Sequence, residues 1–147
     1  MNKYPVVVGE TSMVFEFIGE GINGSVSKLV IYSETHLHNF YNLGFGDKDV
    51  VTGDINDDVI TNNGDSEKVL ATVASTIYTF TDKFPEAMVF ATGSTKARTR
   101  LYRIGITNNI EEIKEDFEVF GLVSENHWQP FQKGVEFEAF LVKRKMK

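Results

Sequence analysis

The chain has 147 residues, a length typical of one domain, and 41% of them are hydrophobic, which is enough for a packed core. It has no cysteine, which excludes disulfides, thiolate nucleophiles and cysteine-ligated zinc. No apolar stretch approaches the roughly 20 residues of a membrane span, and residues 1–9 lack the apolar core of a signal peptide. We therefore expect a cytoplasmic protein that folds as a single domain over residues 1–147.

The basic residues are segregated along the chain. The net charge of −6 argues against a protein that coats nucleic acid over its whole surface. Eight of the 15 lysines and arginines nevertheless fall in two clusters, at residues 96–103 and 143–147, and no acidic residue lies between Glu86 and Glu111. If the two clusters meet in the fold, they form one basic patch on an acidic body, a pattern that attracts anions.

The first third of the chain predicts strands. Residues 13–18 are rich in β-formers and lead into a glycine turn, and residues 26–32 follow as their hairpin partner. Residues 39–45 alternate apolar and polar positions and predict a third strand. Residues 46–65 are rich in Asp, Asn and Gly and predict a long loop, with a short strand around Val59 as an open alternative.

A helix and a buried strand follow. Asp65 is placed to cap a helix over residues 66–83, because its carboxylate can accept a hydrogen bond from a first-turn N–H group. Apolar residues recur along this segment at helical spacing until Pro85 ends the helix. Residues 87–92 are short and apolar, which predicts a buried strand.

Two further helices and a hairpin complete the predicted fold. The second helix has a predicted core stripe of three residues, Ala97, Leu101 and Ile104. Gly105 and residues 107–109 break it, and a third helix starts at Ile110. Residues 118–123 and 135–144 predict a closing hairpin. The element order predicts an α+β fold, a mainly antiparallel sheet with two or three helices packed on one face.

The candidate site is the segment 92–103, in which the predicted strand turns at Gly93 into a helix N-terminus. The exposed N–H groups and the positive dipole end of such a terminus favour anions. Helical spacing places Lys96, Arg100 and Arg103 on one flank of the helix and Arg98 with Tyr102 on the other. The candidate ligand-binding residues are Ser94, Thr95, Lys96, Arg98, Arg100, Tyr102 and Arg103.

In this hypothesis the basic side chains contact phosphates, the hydroxyls donate hydrogen bonds and Tyr102 stacks on a base. The segment is not a Walker A loop, because Thr95 stands before Lys96 where that motif requires glycine. Residues 41–47 carry two glycines beside aromatic residues, which indicates either a bulged strand end or a wall of the same cleft.

Several functions stay open at this point. The leading hypothesis is a binding module for phosphate-bearing ligands, RNA or DNA above all. A small toxin-like ribonuclease would need a general base, such as His36, His38 or a carboxylate, beside Arg98 or Arg100. A third alternative is a protein-interaction or homodimerising domain in which the basic helix meets an acidic surface. The basic flanks can also simply pair with the chain's own carboxylates. The sequence indicates no cofactor, no metal site, no membrane partner and no assignable catalytic residue.

Four stretches carry a resemblance to a known family. They are FYNLGFGD at 40–47, NNGD at 62–65, KVLATVA at 68–74 and ATGSTKARTRLYR at 91–103. Together they resemble a family of small, single-domain proteins of unknown function found mainly in Bacteroidetes bacteria. The resemblance covers almost the whole chain and implies a bacterial cytosolic protein. It implies no chemistry and no catalytic residue.

Overall fold

The structure is a computed structural model that describes residues 2–56 and 63–146. The strands of its sheet are β1 (Val7–Val8), β2 (Val14–Gly21), β3 (Gly24–Glu34), β4 (Phe40–Asp47), β5 (Met88–Ala91), β6 (Phe117–Ser124), β7 (His127–Pro130) and β8 (Ala139–Arg144). The helices are α1 (Ser66–Lys83) and α2 (Lys96–Asp116).

The eight strands form one sheet in the order β1-β2-β3-β4-β5-β8-β6-β7. Strands β4 and β5 pair in parallel, whereas every other neighbouring pair is antiparallel. Helix α1 connects the two parallel strands, since a parallel pair cannot be joined by a tight turn. The predicted α+β fold with a mainly antiparallel sheet is confirmed, with two helices in the described residues.

Both helices pack on the same face of the sheet. Tyr41 and Phe45 alternate along β4 and so point to one face. From α1, Phe80 meets Tyr41 with ring centroids 5.0 Å apart, and from α2, Tyr102 meets Phe45 at 6.4 Å. Phe80 is 0% exposed and also stacks on Tyr32 of β3 at 4.1 Å. The core is therefore an aromatic layer between the sheet and the two helices.

Most of the predicted strands and the first helix are confirmed. The predicted hairpin corresponds to β2 and β3, the third strand to β4, the helix over residues 66–83 to α1, and the buried strand to β5. The predicted closing hairpin is present as β6 and β8, but the segment between them adds the edge strand β7. The strand proposed around Val59 lies outside the described residues.

The predicted cap of α1 is wrong. Asp65 occupies the N-cap position, but its carboxylate makes no capping hydrogen bond to the helix. It accepts a hydrogen bond from the Tyr4 hydroxyl at 2.7 Å instead. The Asp65 carboxylate thus ties the N-terminal segment to the start of α1.

The predicted break after Ile104 is also wrong, because α2 runs without interruption from Lys96 to Asp116. Gly105 is buried against α1, where a Cβ atom would lie 3.1 Å from the Cβ of Leu70. Asn109 remains helical and donates its side-chain amide to the Gly105 carbonyl at 2.7 Å. The glycine that costs helix propensity lets the two helices approach closely.

The core stripe predicted for α2 is wrong as well. Ala97 is exposed, and Leu101 and Ile104 are only half-buried. The buried residues of this helix are Thr99, Tyr102, Gly105 and Ile113. The face of α2 that packs on the core is therefore rotated relative to the predicted stripe, and Tyr102 lies on this inward face.

The two basic clusters do not meet. Lys143 pairs with Met88 at the start of β5, whereas α2 begins after the other end of that strand. The Lys145 N–H group donates to the Asp116 carbonyl at the end of α2. Asp116 lies 13 residues beyond Arg103 in α2, which corresponds to about 20 Å along the helix, so Lys145 lies about that far from the nearest residue of the first cluster. The basic surface at residues 96–103 stands alone.

Candidate functional site

The site is built around the turn that joins β5 to α2. The turn packs tightly on the helix, because a Cβ atom on Gly93 would lie 2.4 Å from the Cβ of Arg98. The Gly93 N–H group donates to the Thr99 hydroxyl at 3.0 Å. The Thr92 hydroxyl donates to the Glu138 carbonyl at 3.0 Å, which fixes the turn to the segment before β8. The start of α2 is thus held in place from both sides.

The hydroxyls predicted to bind a ligand have different roles. Thr95 is the N-cap of α2, and its side chain accepts from the Arg98 N–H group at 3.2 Å. This bond uses the hydroxyl to satisfy one of the unpaired donors of the first turn. Ser94 is exposed, and its hydroxyl has no hydrogen-bond partner within residues 2–56 and 63–146. Of the two, Ser94 has the hydroxyl that is open to a ligand.

A groove of about 470 Å³ lies on one side of the turn. We call it the basic groove; its residues are Thr92–Thr95, Lys96, Thr99, Arg100 and Arg103 on one wall and Val123 and Glu136–Glu138 on the other. Lys96 and Arg100 are exposed and Arg103 is half-buried. The three cations predicted to share a helical flank are therefore brought together in one groove.

These three cations have no ion-pair partner among the described residues. No carboxylate of the described residues lies within the 4.0 Å of an ion pair from Lys96, Arg100 or Arg103. The alternative in which the chain's own carboxylates pair with this flank is not observed for these side chains. Glu136 and Glu138 stand on the opposite wall, which gives the groove one basic side and one acidic side.

The charges of α2 oppose its own dipole. The first turn of the helix contains Lys96 and no acidic residue. Its C-terminal part carries one cation, Lys114, which pairs with Glu111 at 2.9 Å, and three further carboxylates at Glu112, Glu115 and Asp116. Since a helix favours anions in its first turn and cations in its last turn, Lys96 at the start and Glu115 and Asp116 at the end are unfavourably placed. An anion bound beside the first turn would offset part of the cost of placing Lys96 there.

A smaller cleft of about 170 Å³ lies on the other side of the same turn. We call it the Arg98 cleft; its residues are Gly44, Phe45, Ile55, Thr92–Ser94, Arg98, Leu101 and Tyr102. Gly44 and Phe45 form a wall of it, as one interpretation of residues 41–47 predicts. The Arg98 guanidinium lies between α2 and the loop after β4 and donates to the Asn56 carbonyl at 3.3 Å.

Tyr102 lines this cleft as a core residue, which corrects its interpretation as an exposed stacking ring. Its side chain is 8% exposed and packs edge-on against Phe45. Burial raises the pKa of the Tyr102 phenol to about 12, while the positive charge of Arg98 and a backbone hydrogen bond from Phe45 oppose the rise. The phenol is therefore neutral at physiological pH and serves as part of the cleft wall.

His36 and His38 lie away from both cavities. His36 and His38 precede β4, whereas the Arg98 cleft lies towards the other end of that strand. An eight-residue strand spans about 25 Å, so neither imidazole can reach Arg98 or Arg100. Among the described residues, no group of three or more His, Asp and Glu side chains could hold a metal ion. The described helices also include none with the length and apolarity needed to cross a membrane.

A family model covers almost the whole chain. The model described as a family of unknown function (DUF6934) matches residues 1–145. The chain belongs to this family. The match confirms the resemblance to a single-domain family of unknown function, and it places the basic groove and the Arg98 cleft of this DUF6934 chain inside the shared domain. Neither the curated proteins nor the solved structures gave a significant match.

In this DUF6934 chain the sequence predicts one wall of the basic groove and, in one interpretation of residues 41–47, two walls of the Arg98 cleft. Sequence reasoning misses Glu136, Phe137 and Glu138, which reach the groove from a segment some 40 residues further along the chain. It also misses Ile55, which packs over Gly44 from the loop after β4. Nothing in their local sequence distinguishes these residues, since only the order of strands in the sheet brings them to the site.

Proposed function

We propose that this domain binds phosphate-bearing ligands in the basic groove. The observation that carries the proposal is the set of three cations, Lys96, Arg100 and Arg103, on one groove wall with no ion-pair partner in the described residues. Arginine suits this role because its planar guanidinium donates two parallel hydrogen bonds to a phosphate. The neighbouring Ser94 hydroxyl adds a short-range donor.

The helix terminus supports the same ligand chemistry. The Arg98 N–H group is capped by Thr95, but the N–H groups of Lys96 and Ala97 have no acceptor within the described parts of the chain. Unpaired donors of a first helical turn bind phosphate oxygens in many proteins. A bound phosphate would also relieve the unfavourable position of Lys96 in the first turn of α2.

The alternatives have less support. Tyr102 is unavailable for stacking, which removes the base contact from the RNA or DNA hypothesis and leaves only its phosphate contacts. For a ribonuclease, neither His36 nor His38 lies near the basic residues, and no carboxylate of the described residues lies within 4.0 Å of Arg100. No observation favours a homodimer or a protein partner.

The proposal is tested by calorimetric titration of the protein with pyrophosphate at low and at high salt. We expect binding that weakens steeply as salt rises, because the contacts are electrostatic. Arg100→Ala should weaken binding about tenfold, the loss expected for one charge-assisted hydrogen bond. Since Arg100 is exposed and unpaired among the described residues, the fold should not change.

Lys133→Ala is the matched control, since Lys133 is an exposed cation outside the groove. It should leave pyrophosphate binding as in the wild type. Absence of binding at low salt, or equal affinity of wild type and Arg100→Ala, would contradict the proposed function.

A further inference from the structure

The basic groove and the Arg98 cleft share a boundary. Thr92, Gly93 and Ser94 line both cavities, so the turn before α2 forms a low ridge between them. A ligand that places a phosphate on the exposed Ser94 hydroxyl therefore has the groove on one side and the cleft on the other. The two cavities can hold two parts of one molecule.

The Arg98 cleft differs from the groove in chemistry. Its walls include the apolar side chains of Phe45, Ile55 and Leu101, and its main charged group is the Arg98 guanidinium. Pockets that bind small organic groups have this composition, a mostly apolar lining with a few polar groups that fix orientation. A planar organic group could pack its face on the apolar side chains and accept hydrogen bonds from the Arg98 guanidinium at its edge.

The groove in turn limits the length of its ligand. Lys96 and Arg103 are seven residues apart on α2, which corresponds to about 10 Å along the helix. Glu136 and Glu138 face this short row from the other wall, and Lys145 of the C-terminal basic cluster lies at the end of α2, about 20 Å beyond Arg103. A longer nucleic-acid strand would have phosphates beyond the three cations of this row, and in the groove it would lie beside Glu136 and Glu138, whose negative charges repel phosphates.

From these observations we infer that the ligand is a compact phosphate ester of mononucleotide size, with its phosphoryl groups in the basic groove and its organic group in the Arg98 cleft. This inference depends on the proposed function, because the phosphoryl groups occupy the same cations. The inference adds the Arg98 cleft to the proposed binding site, and it excludes an extended polyanion as the natural ligand.

The test compares four probes by calorimetric titration: pyrophosphate, uridine diphosphate, adenosine diphosphate and a single-stranded 12-nucleotide DNA. We expect one of the nucleoside diphosphates to bind about tenfold more tightly than pyrophosphate, the factor for moving a small organic group from water into a partly apolar cleft. The oligonucleotide should bind more weakly than that nucleoside diphosphate.

Two variants fill the cleft from opposite walls. In Gly44→Val the new Cβ atom meets Ile55 at 3.4 Å, an ordinary contact distance, and its methyl groups enter the cleft. Ile55→Phe fills the same space from the loop. Either variant should abolish the preference for the nucleoside diphosphate and leave pyrophosphate affinity unchanged. Val50→Phe, at a position that is 96% exposed and outside the cleft, is the control. Thermal melting identifies a variant that fails to fold, and the other variant then decides.

The outcomes separate the two proposals. Equal affinity for pyrophosphate and both nucleoside diphosphates overturns the inference and leaves the proposed function standing. So does a preference that survives in both folded variants. Tighter binding of the oligonucleotide also overturns the inference and identifies nucleic acid as the ligand. If no probe binds at low salt, the proposed function itself fails.

Discussion

Replacing Gly105 with alanine tests how closely the two helices approach. Gly105 is buried in α2, and an added Cβ atom would lie 3.1 Å from the Cβ of Leu70 in α1. That distance is shorter than an ordinary contact between two carbon atoms, about 3.5–4.0 Å. Because the Leu70 Cβ is attached directly to the backbone of α1, a side-chain rotation cannot remove the overlap. The helices themselves must move apart by a few tenths of an ångström.

Two effects of opposite sign decide the result. Glycine in a helix interior is about 1 kcal/mol less favourable than alanine, so propensity alone would stabilise the variant. Overpacking a filled core costs about 1–3 kcal/mol, and the rigid neighbour favours the upper part of that range. We therefore expect Gly105→Ala to lower the free energy of unfolding by about 1 kcal/mol.

Urea denaturation followed by circular dichroism measures this change. Asn108→Ala is the control, because Asn108 is exposed on the same helix and gains propensity without meeting another element. The control should be stabilised by about 0.5 kcal/mol. If Gly105→Ala is stabilised as much as the control or more, the close contact between α1 and α2 is refuted.

Three further predictions concern buried polar groups. Lys28 and Asp47 form an ion pair with side chains that are 2% and 9% exposed. Lys28→Met should therefore lower the free energy of unfolding in urea by about 3–5 kcal/mol, and adding Asp47→Leu should restore most of that loss. A double variant no more stable than the single one would count against this prediction. The Asn63 side chain accepts from the Asn23 N–H group at 2.6 Å and donates to the Gly24 carbonyl at 2.8 Å. Asn63→Ala should therefore lower the free energy of unfolding by about 2 kcal/mol in the same assay, and a loss below about 0.5 kcal/mol would contradict this prediction. The pKa of Tyr102, raised by burial to about 12, lies above the value of about 10 in the unfolded chain, so its contribution to stability is complete below pH 10 and is lost as pH rises to 12. Tyr102→Phe should show a shallower decline in that window, and an unchanged slope would contradict the assignment.

Local patterns were sufficient for most of the sheet and for α1. Residues 66–83 combine helical spacing of apolar residues with a following Pro85, and the structure has the same helix. Along the strands of the first third, residues that face the helices alternate with residues that face away from them. This arrangement produces an alternation of apolar and polar residues that is easy to recognise in a sequence. In these segments local preference and tertiary packing agree.

Helix α2 shows where local reasoning fails. Gly105 and Asn109 carry poor helix propensities, but tertiary packing on Leu70 and a hydrogen bond within the helix outweigh that small cost. Thr99 is buried because its hydroxyl accepts from Gly93, so a polar residue occupies the inward face. Because this contact cannot be read from the sequence, the spacing of apolar residues predicts that Leu101 and Ile104 face the core in place of Thr99.

The site was predictable in part for a related reason. Lys96, Arg100 and Arg103 share a flank through helix geometry alone, and the same geometry sends Arg98 to the other side. The opposite walls come from β4, from the loop after it and from the segment before β8. Their placement depends on the position of β5 between β4 and β8, which no periodicity in the sequence encodes. The roles of these side chains in binding stay predictions.

The parallel pairing of β4 with β5 bears on the order in which the molecule assembles. Strands β1 to β4 pair with their neighbours in sequence, so each of these pairings closes only a short segment of chain. Pairing β4 with β5 closes a much longer one that includes all of α1, and long closures are slow in folding. Both cavities lie at the end of this pair, where β4 extends beyond β5 and the chain turns into α2. A chain with only its N-terminal meander formed therefore has no binding surface, and the capacity to hold a ligand arises when the two halves of the sheet join.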